Sequence, residues 1–218
     1  EVDTIAEKWW AALGTLGKQT TMVINADDPH LTFIGSKLTS PVRYFGLEDK
    51  SLYLPKMQHA TDTIYCPNCG HRLTFAGVYF SHLGKWACGH CNFVPPTEEV
   101  TAKDFVSPVE GVYNKYNTLA AALTSRVLGL ADEIIAAGLK EFTPAFGRME
   151  TIVKDGKTIK ILLSKNPTGM NESLRTIAAS AHKGPILLVL NDRIPDGTDV
   201  SWIWDVDFEK NTDETDKD

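Results

Sequence analysis

Four cysteines are the residues of this chain whose type and spacing indicate chemistry most directly. They form two C-x-x-C pairs, Cys66 with Cys69 and Cys88 with Cys91, and the 218 residues contain no other cysteine. Zinc prefers four soft ligands in a tetrahedron, and two short turns can each present two thiolates to one ion. The spacing therefore predicts a structural zinc site, without the open coordination position that catalysis requires.

Disulfide bonds and a redox-active pair are the alternative interpretations of these cysteines. A two-residue loop is a poor place for a structural disulfide, and nothing in the sequence is typical of a secreted protein. Two pairs at metal spacing also argue against a redox motif. Three histidines lie close by in the sequence, and we expect them to be neighbours of the metal site and not ligands: His71, His82 and His90.

Charge and hydropathy argue against two classes of function. The chain carries 22 Lys and Arg against 28 Asp and Glu, a net charge of −6. Non-specific nucleic-acid binding needs a basic surface, so we expect no nucleic-acid partner. No apolar run approaches the roughly 20 residues of a membrane-spanning helix, so we do not expect an integral membrane protein. Reduced, metal-binding cysteines are typical of the cytoplasm.

The first part of the chain alternates helix and strand, which predicts a parallel sheet. The elements in chain order are a helix over 3–13, a strand over 21–24, a helix over 30–35 and a strand over 41–46. The first strand is followed by the polar run Asn25-Ala-Asp-Asp-Pro29. This run is either the ligand-binding end of a parallel strand or a helix N-cap by Asp28 with Pro29 in the first turn.

Residues 60–99 differ in character from what precedes and follows them. Aromatic and β-prone residues alternate around the cysteines, which predicts a small zinc ribbon of short hairpins that needs its metal to fold. Pro95 and Pro96 close the segment, and the α/β pattern then resumes. The ribbon is therefore predicted to be an insert in a larger domain.

A pair of asparagines lies near the start of an alanine-rich helix. Asn114 and Asn117 are three residues apart, so they share one helix face close to the N-terminus. Two carboxamides in this position can hydrogen-bond a base or a ribose. Alternatively, Asn114 caps the helix and Asn117 is solvated.

The last part of the chain, from residue 144, contains several polar turns beside predicted strands. Arg148 follows a glycine just before a hairpin over 151–163, a position that suits a phosphate contact. The sequence Asp155-Gly156 predicts the hairpin turn. Two further strands are predicted, one over 185–190 and one that begins at Ser201.

Taken together, these motifs resemble the MurT family, the Mur-ligase-like subunits of lipid II isoglutaminyl synthase. The resemblance covers nearly the whole chain, and the combination of the four-cysteine insert with the D-V-S-W-I-W-D stretch is specific. The residues that carry it are Asn25-Ala-Asp-Asp-Pro29, the insert, Tyr113-Asn-Lys-Tyr-Asn117-Thr-Leu-Ala-Ala121, Phe146-Gly-Arg148, Lys165-Asn-Pro167 and Asp196-Gly-Thr-Asp-Val-Ser-Trp-Ile-Trp-Asp-Val-Asp207.

The resemblance implies an α/β fold with three parts. Residues 1–59 and 100–143 would form part of a Mur-ligase-type central domain, which is the ATPase domain. Residues 60–99 would be the zinc-ribbon β insert. Residues 144–218 would form part of a Rossmann-like C-terminal domain.

The resemblance also implies an ATP-dependent carbon–nitrogen ligase of peptidoglycan biosynthesis. Such an enzyme amidates the D-glutamate α-carboxylate of lipid II, at the inner face of the membrane, to give D-isoglutamine. ATP with Mg²⁺ activates the carboxylate. Neutralisation of the charge on the leaving phosphate contributes much of the catalysis in this step. The ammonia comes from a GatD-type glutamine amidotransferase subunit.

The roles of individual residues follow from the same resemblance. Asn114 and Asn117 match asparagines near the base and ribose of the nucleotide, and Arg148 matches an arginine that faces the phosphates. Lys165 and Asn166 match a loop that closes on the nucleotide. The family also uses an aspartate to position ammonia or to receive its proton. The candidates for this aspartate are Asp199, then Asp192 and Asp205.

One departure from the family pattern is large. The chain contains no G-x-x-x-x-G-K-[ST] loop, and it ends soon after Trp204, where the family's C-terminal domain continues. We therefore expect a fragment that is inactive and binds ATP poorly by itself. The alternative functions are a non-catalytic zinc-ribbon scaffold and an amino-acid-adding Mur ligase.

Overall fold

A computed structural model describes residues 2–59, 61–144, 148–180, 184–194 and 197–211. The chain divides into two compact units, which are described separately. The first unit comprises Glu1–Met57, Thr61–Pro108 and Val112–Phe142, and the second comprises Gln58–Ala60, Val109–Gly111 and Thr143–Asp218. Residues 61–99 of the four-cysteine insert thus lie within the first unit.

The first unit contains four helices and two pairs of strands among its described residues. In chain order they are α1 (Val2–Leu13), β1 (Met22–Asn25), α2 (Pro29–Lys37), β2 (Val42–Phe45), β3 (Thr74–Phe80), β4 (Leu83–Ala87), α3 (Val112–Val127) and α4 (Asp132–Glu141). A short 3-10 helix spans Lys50–Leu52.

The two strands β1 and β2 are parallel, as the sequence predicts. Met22 lies opposite Val42 and Asn25 lies opposite Phe45, and α2 forms the crossover between the strands. Phe45 also forms a parallel bridge with Val100, the residue at which the chain returns from the insert. The insert therefore begins and ends beside the same small sheet.

Asp28 caps the N-terminus of α2, which accounts for part of the polar run after β1. Its Oδ1 accepts hydrogen bonds from the backbone N–H groups of His30 at 2.8 Å and Leu31 at 3.1 Å. Pro29 occupies the first turn, where its missing N–H costs nothing. Asp28 therefore has the capping role that the sequence allowed.

The insert folds as an antiparallel hairpin of β3 and β4, with Thr74 opposite Ala87. Gly84 faces Gly77 and Val78 of the other strand so closely that a side chain at position 84 would collide with the Gly77 carbonyl. Glycine is required at position 84 because the two backbones approach each other without room for a Cβ atom.

The hydrophobic core of the first unit contains residues from the insert as well as from the α/β part. Its α3 members recur at helical spacing on one face of the helix. Those members are Val112, Tyr116, Leu119, Ala122 and Leu123. Tyr79 of β3 is fully buried in the same cluster, beside Leu47 and Val100. The insert and the α/β part therefore share one core.

The second unit contains a hairpin and helices. Its elements are β5 (Arg148–Lys154), β6 (Lys157–Leu162), α5 (Pro167–Ala179), a 3-10 helix (Ser201–Asp205) and α6 (Phe208–Asn211). The hairpin turn has positive φ at both Asp155 (51°) and Gly156 (71°). This matches the type I′ turn that the Asp-Gly pair predicts.

Two predicted strands of this unit are not formed. Residues 185–190 have no strand partner among the described residues, and the side chains of residues 186–190 are exposed. The stretch that begins at Ser201 is a 3-10 helix and not a strand. It turns here because the N–H of Ile203 bonds to the carbonyl of Val200 and that of Val206 to the carbonyl of Ile203.

We predict that Asp28→Ala lowers the free energy of unfolding by about 1 kcal/mol, because two backbone N–H groups of α2 lose their acceptor. Asp28→Asn retains an acceptor oxygen and should stay within about 0.5 kcal/mol of the wild type. Urea unfolding of the three proteins measures the difference. Equal stability of the alanine and asparagine variants would show that the cap contributes nothing.

Candidate functional site

The four cysteine sulfurs converge in the insert. The Sγ atoms of Cys66 and Cys91 are 3.7 Å apart, those of Cys69 and Cys88 are 3.5 Å apart, and all four lie within 4.8 Å of one another. These separations are too long for disulfide bonds, which measure about 2 Å. Zn–S bonds of about 2.3 Å in a tetrahedron place the sulfurs about 3.8 Å apart. The four thiolates can therefore hold one metal ion.

The surroundings of the cysteines differ in how they affect the thiol pKa. Burial raises the pKa of Cys66 to about 12. A hydrogen bond from the Asn68 side chain, at 3.4 Å, lowers the pKa of Cys91 to about 6. The Cys66 thiol is therefore protonated at neutral pH, and a metal ion that binds its sulfur displaces this proton.

The three histidines near the cysteines occupy different positions. The rings of His71 and His90 stack with 3.5 Å between their centroids, and both side chains are exposed. His82 is half-buried, and its Nε2 lies 3.4 Å from Oδ2 of Asp28. His82 thus contacts the N-cap of α2 and takes no part in the four-cysteine cluster.

The two asparagines predicted to contact a nucleotide lie together on α3. The side-chain nitrogen of Asn117 is 3.5 Å from Oδ1 of Asn114. Asn117 is exposed and Asn114 is half-buried. The helix begins at Val112, so Asn114 lies inside the first turn and is not its N-cap. The two carboxamides therefore form one polar patch on the first turns of α3.

A buried charge cluster lies directly below α3. The carboxylate of Asp27 is fully buried, and its Oδ1 is 3.0 Å from Nζ of Lys85 on β4. Oδ2 accepts hydrogen bonds from the hydroxyl of Tyr116 at 2.9 Å and the backbone N–H of Leu47 at 2.8 Å. Lys85 also pairs with Glu48 and Glu98.

The protonation states in this cluster follow from burial and charge. Burial raises the pKa of Asp27, and the charge of Lys85 opposes this effect. Burial lowers the pKa of Lys85, but Asp27, Glu98 and Glu48 together raise it above its usual value. Lys85 therefore stays protonated. Burial and the charge of Asp27 also raise the pKa of Tyr116, so its hydroxyl keeps the proton that it donates.

The phosphate-side candidates belong to the second unit. Arg148 is the first residue of β5. Lys165 is exposed in the loop that leads to α5. Asn166 is the N-cap of α5, and its Oδ1 accepts a hydrogen bond from the Gly169 N–H at 2.7 Å. The cap uses only Oδ1, so capping does not require the carboxamide nitrogen and is compatible with ligand binding.

The three candidate aspartates are all exposed. Asp199 accepts a hydrogen bond from the Ser201 N–H at 2.9 Å. Hydrogen bonds from Ser201 lower the pKa of Asp199, so its carboxylate is ionised at neutral pH. Asp192 and Asp205 are exposed as well.

A buried polar cluster near these aspartates is absent from the sequence-based prediction. Asp207 is 1% exposed, and its Oδ2 accepts a hydrogen bond from the Asn171 side chain at 3.2 Å. The Asp207 N–H donates in return to Oδ1 of Asn171 at 2.8 Å. Nδ1 of His59 lies 3.0 Å from Oδ1 of Asp207. His59 and Asp207 are 148 positions apart. No spacing rule relates residues at such a distance, so the sequence alone does not predict their contact.

Glu172, next to Asn171 on α5, is a buried carboxyl group whose negative charge, when ionised, is only partly neutralised by its neighbours. It is 1% exposed, and the nearest cation is Arg175, whose Nη1 lies 3.6 Å from Oε1. Burial raises the pKa of Glu172 to about 7, against the opposing charge of Arg175. A strongly perturbed carboxyl of this kind is common at functional sites.

Comparison with known proteins shows which families and proteins the chain is similar to. Residues 163–217 match the family model described as MurT ligase C-terminal. The chain is 32% identical over 211 residues to the lipid II isoglutaminyl synthase (glutamine-hydrolyzing) subunit MurT of Staphylococcus aureus (strain COL), and this match covers 88% of the chain and 47% of the relative. The MurT subunit of Streptococcus pneumoniae is 29% identical over 210 residues, with 88% of the chain and 46% of the relative covered.

A solved structure is similar to the chain as well. The pseudomurein peptide ligase type C from Methanothermus fervidus superposes with a TM-score of 0.59 at 30% sequence identity, over 72% of this chain and 34% of that one. The chain is therefore similar in sequence and in fold to ligases of the Mur type. Within that class, these matches confirm the predicted resemblance to MurT. The chain spans about half the length of the curated relatives it matches.

Glu172 generates a pH-dependent prediction. Its pKa is about 7 in the folded protein against 4.5 ordinarily, so folding favours the protonated form. Its stabilising contribution is complete below pH 4.5 and is lost as the pH rises to about 7. Ionisation of Glu172 then costs roughly 3 kcal/mol. Relative to the wild type, Glu172→Gln should gain about 2 to 3 kcal/mol at pH 8 and nothing near pH 4.5.

Urea unfolding at a series of pH values measures this difference. Glu141→Gln is the matched control, because Glu141 is exposed at the end of α4. The control should follow the wild type at every pH. A stability difference between Glu172→Gln and the wild type that does not change with pH would show that burial does not raise the pKa of Glu172.

Proposed function

We propose that the protein which contains this chain catalyses the ATP-dependent amidation of lipid II, converting the α-carboxylate of its D-glutamate to the carboxamide of D-isoglutamine. The observation that carries this proposal is the similarity to MurT subunits of lipid II isoglutaminyl synthase over 88% of the chain. The match of residues 163–217 to the MurT C-terminal family model supports it further.

The proposed reaction has two steps. A carboxylate oxygen attacks the γ-phosphorus of ATP, which forms an acyl phosphate and releases ADP. Ammonia then attacks the carbonyl carbon, the C–O bond to phosphate breaks, and inorganic phosphate leaves. The nitrogen loses a proton to a base, so that the products are the amide and phosphate.

The nucleotide contacts that we propose are those that the resemblance to MurT implies. Asn114 and Asn117 bind the base and ribose, which is supported by their shared patch on α3. Arg148 contacts the phosphates, and Lys165 with Asn166 closes on the nucleotide. Mg²⁺ supplies charge neutralisation on the phosphate oxygens when it is bound.

Asp199 is our first candidate for the group that positions ammonia or receives its proton, with Asp192 and Asp205 as the other candidates. Two features support Asp199: its carboxylate is exposed, and the hydrogen bonds from Ser201 hold it ionised and oriented. We assign Asp207 a different role. Its exchange of hydrogen bonds with Asn171 ties the chain after the 3-10 helix to α5, which fixes the segment that carries Asp199 and Asp205.

We also propose a metal ion for the four cysteines, a partner subunit and a cellular location. Zinc is the ion that we propose for the four cysteines, because their separations suit a tetrahedral thiolate site. The ammonia comes from a GatD-type glutaminase subunit, and the reaction takes place in the cytoplasm on lipid II at the inner membrane face. Within the part of the chain that the structure describes, no helix has the length and apolar character needed to cross a bilayer.

The proposed activity predicts a specific loss in Asp199→Asn. In the full-length protein with its glutaminase subunit, glutamine, ATP and lipid II, this variant should lose at least about 100-fold in kcat, because it lacks the proton acceptor. Its folding and metal content should be those of the wild type. Mass spectrometry of the lipid II product measures the amidation.

Asp155→Asn is the matched exposed control, because Asp155 lies in the turn between β5 and β6, where asparagine is equally suited, and it should keep most of the activity. Full activity in Asp199→Asn would transfer the role to Asp192 or Asp205. A folded wild type that releases no ADP and amidates nothing would instead favour the non-catalytic scaffold.

The metal proposal predicts one zinc ion per chain by elemental analysis. Cys88→Ser should lose this ion and unfold the ribbon, because a small β insert of this size needs its metal. Asn68→Ala should keep the ion, since Asn68 donates to Cys91 without being a ligand. A chain purified under reducing conditions without bound metal, yet with an intact ribbon, would contradict the proposal.

A further inference from the structure

The second strand of the ribbon makes three contacts with the turn that follows β1. The N–H of Gly84 donates to the carbonyl of Asp27 at 3.0 Å, and Nε1 of Trp86 donates to the carbonyl of Ala26 at 3.1 Å. Between these residues, Nζ of Lys85 lies 3.0 Å from Oδ1 of Asp27. We name Gly84, Lys85 and Trp86 the ribbon clamp. Three successive residues of β4 thus hold two successive residues at the carboxyl end of β1.

The ribbon clamp is continuous with the four-cysteine cluster. Trp86 is 2% exposed and packs in one hydrophobic cluster with Cys66 and Cys88. Its ring centroid lies 5.1 Å from that of Phe93. The strand β4 ends at Ala87, so Cys88 follows the clamp after one residue. The position of Trp86 therefore depends on the packing around the metal-binding cysteines.

Asp27 connects the ribbon clamp to α3. One of its carboxylate oxygens faces Lys85 of the clamp, and the other accepts a hydrogen bond from the hydroxyl of Tyr116 at 2.9 Å. Tyr116 lies on α3 between Asn114 and Asn117, one residue before Asn117. The carboxylate is fully buried, so neither contact is replaced by water when it is broken.

The first strand of the ribbon braces the same tyrosine from another side. The ring of Tyr116 packs edge-on against Phe80, with 5.7 Å between centroids, and against Tyr79, with 6.3 Å. Both aromatic residues belong to β3. The start of α3 therefore rests on both strands of the ribbon, one through ring packing and the other through the Asp27 carboxylate.

We infer that the metal-bound ribbon is a positioning element, which fixes the start of α3 through Asp27 and so holds Asn114 and Asn117 in place for a nucleotide. Lys85 is the positioning residue of this arrangement, because it is the cation that neutralises Asp27 from the ribbon side. The nucleotide part of the inference rests on the proposed function. The mechanical part, that the ribbon orders α3, stands on the contacts alone.

The test compares Lys85→Met, which removes the charge at similar length, with Lys85→Arg, which retains it. Lys103→Met is the matched control, because Lys103 is an exposed lysine of the same unit. The variants are made in the full-length protein. Hydrogen exchange is measured at the amides of residues 116–123, and KM for ATP and kcat are measured in the amidation assay.

Lys85→Met should keep its bound zinc and should exchange the amides of residues 116–123 at least tenfold faster than the wild type. Its KM for ATP should rise about tenfold while kcat falls less, since the nucleotide site is loosened and the reacting groups are untouched. Lys85→Arg should stay close to the wild type in both exchange and KM, and Lys103→Met should match the wild type. Wild-type exchange at residues 116–123 in Lys85→Met would overturn the inference, whatever its activity.

Tyr116→Phe provides the same test if Lys85→Met does not fold, because it removes one hydroxyl and keeps the ring packing. It should show the same changes to a smaller degree, and unchanged exchange together with unchanged KM would overturn the inference.

Chelation of the metal from the wild type should speed exchange at residues 116–123 as well as within 66–91, and faster exchange confined to 66–91 would also overturn the inference. If the amides respond as expected but the wild type neither binds ATP nor amidates lipid II, the positioning role stands and the proposed function fails.

Discussion

A fully buried carboxylate needs a positive partner and hydrogen-bond donors, and in the first unit this requirement connects three parts of the chain. Asp27 follows β1, Lys85 comes from the ribbon, and Tyr116 comes from α3. Removal of one member of a buried ion pair typically costs about 3–5 kcal/mol, because the remaining charge is left without compensation. The ribbon is therefore not an appendage: its lysine is needed to complete the interior of the α/β part.

The sequence predicts the local elements well where periodicity or turn chemistry is strong. The parallel pair of β1 and β2, the Asp155-Gly156 hairpin and the convergence of the four cysteines all follow from spacing. The ion pair of Asp27 with Lys85 does not, because the two residues are far apart in sequence and no repeat marks their contact. The polar run after β1 shows the same limit: its helix-capping role is readable, and its role as an anchor for the ribbon is not.

The second unit shows why strands are harder to predict than helices. The apolar run at 185–190 has strand composition, but a strand also needs a neighbour, and the described residues supply none. The stretch Ser201–Asp205 is aromatic, yet hydrogen bonds three residues apart turn it into a 3-10 helix. The contacts of the buried Asp207 with the buried Asn171 and with the exposed His59 are tertiary contacts that no local pattern encodes.

In the proposed reaction, ATP activates the D-glutamate carboxylate of lipid II before ammonia attacks it. The most direct measurement uses lipid II with ¹⁸O in this carboxylate, incubated with the full-length protein, its glutaminase subunit, glutamine and ATP. Activation through an acyl phosphate transfers one labelled oxygen to inorganic phosphate in each turnover, and mass spectrometry of the phosphate should detect it. Amidated product accompanied by unlabelled phosphate would contradict activation through an acyl phosphate.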